Sequence, residues 1–264
     1  FASVANYDAS VASGQLGTTL GGNRTIANYM GAGTTKVIMS ADDLTTAAHT
    51  LTISANVTLE VASGRTLTIA STGTLNSDAG TVENDGTIAC SGTITSGSNF
   101  AGTSIGLVEF ASVANYDASV ASGQLSTTLG GDTTIANYMG VGVGTTKVIL
   151  SGSETLTTST HTLTIPASVT LQVASGRTLT IAGAIIKNGT INGSGSVTFN
   201  SIAAYDATSD NTDIGSTITT SGTRTLGKYN SLTTKVIIAS GESLTINATA
   251  KFIIDTGVTL ELVS

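Results

Sequence analysis

Histidines, cysteines and paired carboxylates are the side chains that most often carry catalysis or bind metals, and this chain of 264 residues has few of them. Its two histidines, His49 and His161, sit in matching contexts, each followed by T-L-T-I. An imidazole can serve as a general base or a metal ligand near neutral pH. An active site, however, is one constellation with distinct roles, and a lone histidine that is duplicated reads instead as a solvated strand edge. Asp42 and Asp43 are an adjacent carboxylate pair, but Ser153 and Glu154 replace them in the matching segment, so no paired acid-base site is kept. Cys90 is the only cysteine, which excludes an internal disulfide and any multi-cysteine metal site. The calcium runs D-x-D-x-D-G and G-G-x-G-x-D are absent, as are G-x-S-x-G, H-E-x-x-H, a P-loop and a G-x-G-x-x-G between strand and helix. A β-helical lyase or hydrolase needs carboxylates or basic groups gathered in one groove, and here the 17 acids are spread thinly. No catalytic residue, metal site or cofactor is expected, and the chain reads as something other than an enzyme.

The bulk composition points the same way. Ten Lys and Arg against 17 Asp and Glu give a net charge of -7, the opposite of the clustered basic surface a nucleic-acid binder needs. No run approaches the length of a membrane-spanning helix, and the chain opens at Phe1 without a signal peptide, as expected of a processed product or a window on a longer one. Aromatics are 4% and charged residues 10%, with 31 Gly, one Pro and no Trp. Thr, Ser, Ala and Gly dominate the rest, a composition of strands and turns.

What positions these residues is a repeat. Residues 1–30 read FASVANYDASVASGQLGTTLGGNRTIANYM, and residues 110–139 repeat them almost unchanged. Both copies go on through TTKVI, LTT, HTLTI, VTL and VASGRTLTIA. A third, diverged copy starts near VTFNSIAAYD and keeps TTKVI and SLTI. The spacing divides the chain into units 1–109, 110–198 and 199–264. Asp8, Asp117 and Asp206 recur, as do Lys36, Lys147 and Lys235, and Tyr29, Tyr138 and Tyr229. For these residues the expectation is structural: an ion pair or a turn-capping Asp, and packed tyrosines rather than a carbohydrate-stacking platform.

Within the first copy, apolar residues preceded by Thr fall at Leu51, Leu59, Leu67, Leu75, Val82, Ile88 and Ile94, six to eight residues apart. Polar and apolar residues alternate around each, the period of a strand with one buried face. Gly, Asn, Ser and Asp fall between, where tight turns need positive φ or Asx bonds. Thr, Val, Ile and Gly disfavour helix, and no helical stripe runs for three turns. Three short sides per coil predict an all-β chain folded as a parallel β-helix, a β-solenoid of about a dozen coils spaced ~4.8 Å apart, with a less regular excursion at the start of each unit. Thr-x-Thr pairs such as Thr50/Thr52, Thr66/Thr68 and Thr93/Thr95 are similar to the flat Thr ladders of ice-binding solenoids, but Glu60, Asn76, Glu83 and Ala89 interrupt the array and ice binding is not expected. Sequons such as Asn23-Arg-Thr and Asn56-Val-Thr are matches a Thr-rich chain makes by chance.

The runs TLTIASTGTLNSDAGTVENDGTIACSGTI and IIKNGTINGSGSVTF resemble the repeats of filamentous-haemagglutinin-like β-helical adhesins and surface fibres. That resemblance implies a right-handed parallel β-helix on a microbial cell surface. The chain closes with LELVS and opens with FASVANYD, and joined tail to head these ends approach the internal junction GLVEFASVANYD. The expectation is a non-catalytic extracellular subunit that stacks head to tail with itself into a filament, because a heterologous contact need not close. Its interface residues would be Phe1, Val4, Leu260, Leu262, Val263 and Ser264. The alternative is a stalk or binding segment of a larger surface adhesin, with a cell surface or glycan as a further candidate partner.

Overall fold

The computed structural model describes residues 1–11, 16–41, 43–96, 100–102, 105–120, 125, 128–139, 143–151, 156–158, 160–208, 211, 215–218, 223–230 and 232–263. It is an all-β parallel solenoid of about nine turns, 8% helical. The chain divides into two compact units, one of residues 1–122 and 136–148, the other of 123–135 and 149–264.

In the first unit three parallel sheets form the three sides of each coil. The first side stacks Thr35–Met39, Val57–Val61 and Thr81–Asn84. Leu44–Thr45, Thr66–Ile69, Thr87–Cys90 and Leu107–Phe110 build the second. Arg24–Ile26, Thr50–Ile53, Thr74–Asn76 and Thr93–Thr95 build the third. Register follows the sequence pattern: Leu51 stands against Leu75, Leu59 against Val82 and Leu67 against Ile88. These side chains are wholly or almost wholly buried, while the alternating Thr residues face outward. A strand of alternating polarity must bury one face, and stacking each coil on the last buries it while the backbone pairs along the axis.

The second unit is built the same way. Leu156–Thr157, Thr178–Ile181, Ser196–Phe199, Thr233–Ile238 and Val258–Leu262 stack in one sheet, and Thr133–Thr134, Thr162–Ile165 and Ala184–Lys187 in another. Val169–Val173 pairs with Thr190–Gly193, Thr217–Ile218 with Thr245–Ile246, and Thr223–Leu226 with Lys251–Ile254, all parallel.

The expected excursion is present, and the expected coil count is corrected. The excursion that opens each copy starts as a helix: α1 (Val4–Ser10), α2 (Val113–Ser119) and α3 (Ile202–Asp206). Ser3, Ser112 and Ser201 cap them, each accepting from a backbone N–H three residues on, which satisfies a donor the first helical turn leaves open. The turns are fewer than a dozen. Phe110 lies opposite Val148, so the single turn holding α2 takes up far more chain than the turn from Leu59 to Val82.

The second copy starts one side further round than the first. Phe1 lies beside Thr35–Met39, donating from its ammonium to Lys36 O at 2.6 Å and accepting from Ile38 N at 3.1 Å, so it belongs to the first side. Its counterpart Phe110 belongs to the second. The copies differ in length by one coil: Thr66–Ile69 reaches Leu107–Phe110 only through Thr87–Cys90, whereas Thr178–Ile181 pairs directly with Ser196–Phe199. Deleting residues 87–106 joins Gly86 to Leu107 and should set Leu107–Phe110 directly on Thr66–Ile69. The expected product keeps a strand-rich circular dichroism spectrum and a melting profile like that of the full chain; an aggregated or unfolded product would show that coils are not interchangeable.

Candidate functional site

The recurring aromatic residues form the same small cluster in each copy. Phe1 meets Tyr7 and Tyr29 edge-on, each with centroids 5.3 Å away. Phe110 meets Tyr116 and Tyr138 at 5.4 and 5.5 Å, and Phe199 meets Tyr205 and Tyr229 at 5.1 and 5.6 Å. Edge-to-face geometry places the positive ring rim on the negative face of its neighbour. The second tyrosine is seated by the buried Thr of T-T-K-V-I, whose Oγ1 accepts from Tyr29 N, Tyr138 N and Tyr229 N at 2.8, 2.6 and 2.8 Å. The Tyr116 hydroxyl accepts from Ala136 N at 2.8 Å, and burial pushes its pKa up to about 12. Burial likewise raises Tyr138 and Tyr205. Tyr138 and Tyr229 are buried at 6% and 1% exposure, whereas Tyr29 is 55% exposed. What covers Tyr138 is Phe100, whose ring lies at 5.1 Å and whose N–H donates to Tyr138 O at 3.3 Å.

The recurrent charges separate into two duties. Asp8 Oδ2 accepts from the N–H groups of Leu16 and Gly17 at 2.8 and 3.2 Å, and Asp206 Oδ2 accepts from Gly215 N at 2.8 Å, so both tie down the segment that follows the helix. The residues just beyond Val120 lie outside the described set, and with them the loop next to Asp117. The lysines pair with glutamates. Lys36 reaches both Glu60 and Glu83 at 2.6 Å, Lys147 reaches Glu109 at 2.9 Å and Lys235 reaches Glu261 at 2.8 Å. Glu60 and Glu83 stand in register on neighbouring coils, where like charges repel. Lys36 bridges them, and the hydrogen bonds its ammonium donates to those two carboxylates raise its pKa. Gln172 occupies the position of Glu60 in the second copy, and there Lys147 turns to the preceding strand instead.

The residues singled out for chemistry stay apart. His161 Nδ1 lies 4.0 Å from Asp132 Oδ1 on a half-exposed surface, and His49 joins its neighbours through its backbone. Cys90 is buried, and desolvation pushes its thiol up to about 12. Asp42, Ser153, Glu154 and Ser264 lie outside the described residues. Among the described residues no group of three or more His, Cys, Asp or Glu converges, and no helix is long and apolar enough to cross a membrane. The Thr ladders need a correction. Thr25, Thr52, Asn76 and Thr95 stand in one row of the third side, with Thr50, Thr74 and Thr93 in the next. Among the described residues of this side Asn76 alone interrupts the array; Glu60 and Glu83 lie on the first side, whereas Ala89 stands in register with Thr68 on the second and does break the Thr66/Thr68 ladder there.

The outermost coil of the second unit is uncovered. Leu262, Ile246, Ile254 and Val263 are 74%, 47%, 46% and 40% exposed, with Leu260 half-buried below them. Val258–Leu262 pairs with Thr233–Ile238 as Val57–Val61 pairs with Thr35–Met39. Leu262 is therefore the counterpart of Val61, which is fully buried beneath Asn84. This overturns the match of LELVS to the LVEF junction, since Leu107–Phe110 occupies the strand position before TTKVI rather than after it. Of the other predicted interface residues, Phe1 and Val4 are half-buried beside the first side.

No protein-family model, curated protein or solved structure matches the chain.

Proposed function

We propose that this chain is a non-catalytic structural subunit of an extracellular filament, extended by stacking the coils of one copy on those of the next. The observation that carries this reading is the contrast between Val61, wholly buried by the coil above it, and its counterpart Leu262, 74% exposed on an open strand edge. An exposed edge with an apolar interior is a template for another strand. The non-catalytic reading is supported by the duties of the recurrent charges, which bridge coils or cap turns. The resemblance to filamentous-haemagglutinin-like surface fibres supports the extracellular setting.

Electron microscopy of the purified protein across a concentration series tests it. Long filaments of uniform width, appearing above a threshold concentration, are expected. Particles that stay dispersed at every concentration would remove the filament reading and leave the stalk of a larger adhesin, in which the same edge is covered by other parts of a longer polypeptide.

A further inference from the structure

The helices have a docking partner inside the chain. In the first unit α2 lies on the open edge of Thr93–Thr95. Asn115 Nδ2 donates to Ser91 O and Gly92 O at 2.8 and 3.2 Å, and Ser119 Oγ accepts from Ile94 N at 3.0 Å. These contacts satisfy backbone groups that the last strand of a stack would otherwise leave open. In the second unit, residue Thr208 at the end of α3 does the same for Ala184–Lys187, its Oγ1 accepting from Ile185 N at 3.2 Å. The pattern is therefore used twice: a hydroxyl at the end of the helix receives the N–H of an inward-facing residue on the edge of the coil beneath.

Helix α1 carries the same groups in the same internal geometry. Ser3 Oγ bonds the Asn6 side chain as Ser112 Oγ bonds that of Asn115. Ser10 Oγ donates to Asn6 O at 2.9 Å, as Ser119 Oγ donates to Asn115 O at 2.8 Å. Yet Asn6 and Ser10 are exposed, and among the described residues nothing donates to Ser10 Oγ or accepts from Asn6 Nδ2. Beside them Tyr29 stands 55% exposed where Tyr138 is covered by Phe100. An edge-docking surface is thus assembled and unfilled.

We propose that α1 of one copy seats on the open coil edge of a second copy, formed by Thr245–Ile246, Lys251–Ile254 and Val258–Leu262, with Asn6 and Ser10 making the contacts that Asn115 and Ser119 make within the chain. A coil edge is the occupant because at both internal joints the hydroxyl at the end of the helix takes the N–H of an edge strand of a parallel coil. That coil also supplies the uncovered apolar residues Ile246, Ile254 and Leu262. This rests on the filament reading and assigns its contact residues.

Sedimentation and electron microscopy of the wild-type chain and of two variants test it. Asn6→Ala/Ser10→Arg removes the donor and fills the seat. Ala9→Arg is the control, because its counterparts Ala118 and Ala207 stay exposed on the docked helices. All three sites are exposed, and unchanged thermal melts of the dispersed proteins check the fold. A rise of at least about tenfold in the assembly threshold is expected for the double variant, with Ala9→Arg at the wild-type threshold. If the wild type assembles and the double variant matches it, the α1 contact is wrong while the filament stands. If the wild type never assembles, both fall.

Discussion

Replacing Phe110 with Ala should lower the unfolding free energy of its coil by about 4 kcal/mol, while Phe1→Ala should cost well under half of that. Phe110 is fully buried, packed edge-on to Tyr116 and Tyr138 and in register with Cys90 and Val148. Truncation leaves a cavity that four fixed neighbours cannot collapse to fill, since the Tyr116 hydroxyl is held by Ala136 N and the Tyr138 N–H by Thr146 Oγ1. Phe1 carries the same pair of ring contacts but is only half-buried, so part of its site is already wet. A stacked chain does not unfold as one unit, so a local probe is needed, and Cys90 supplies it. Its thiol is buried, with the pKa pushed up to about 12, and should resist alkylation until its coil opens. When opening and reclosing are fast relative to labelling, 4 kcal/mol corresponds to a labelling rate raised about a thousandfold at pH 8 in Phe110→Ala. An equal rise in Phe1→Ala would show that burial of the ring is not what holds the coil.

The apolar interior was readable residue by residue, because alternation alone decides which side of a strand is buried. Leu51, Leu59, Leu67 and Leu75 all point inward as their spacing requires. Four features needed the third dimension. Helix α1 has seven residues, too few for an apolar stripe, and its one clear signal is the capping Ser3. The Thr array was misjudged because neighbours in sequence fall on different sides of the coil, so Glu60 never meets the ladder that holds Thr52 and Asn76. The exchange of glutamates around Lys36 and Lys147 depends on which strand lies next, which composition does not reveal. A short apolar run such as LELV fits several strand positions, and only pairing with Thr233–Ile238 identifies it as the counterpart of Val57–Val61. The recurrent Asp, Lys and Tyr residues were visible as a set, but their roles as loop ties, coil bridges and ring clusters depend on partners far along the chain.

Glycine at some corners is required by close backbone approach rather than by positive φ, and that sets the second large effect. Gly64 has φ +78° with open space around it, the left-handed conformation that the sequence suggests for a turn. Gly86 has no such angle. A Cβ there would lie 2.4 Å from Arg65 O and 2.5 Å from Ala62 O, far inside van der Waals contact. Neither carbonyl can step aside, because Arg65 O accepts from Thr87 N at 2.9 Å and Ala62 O accepts from Arg65 N at 3.0 Å. The strands on either side hold the coils ~4.8 Å apart, so relief at the corner means breaking the ladder. Gly92, Gly189 and Gly195 meet backbone carbonyls in the same way. Gly86→Val should therefore destabilise its coil by on the order of 4 kcal/mol, the upper end for overpacking that the backbone cannot absorb, and should bring Cys90, at the end of the strand that directly follows on the same coil, into reach of alkylation. Gly64→Ala, which meets no neighbour and pays only for the left-handed backbone, should cost about 1 kcal/mol. If the two substitutions proved equally mild in denaturant titrations, the corners would be looser than a stack in backbone contact allows, and coil-on-coil templating, within the chain or between copies, would lose its physical basis.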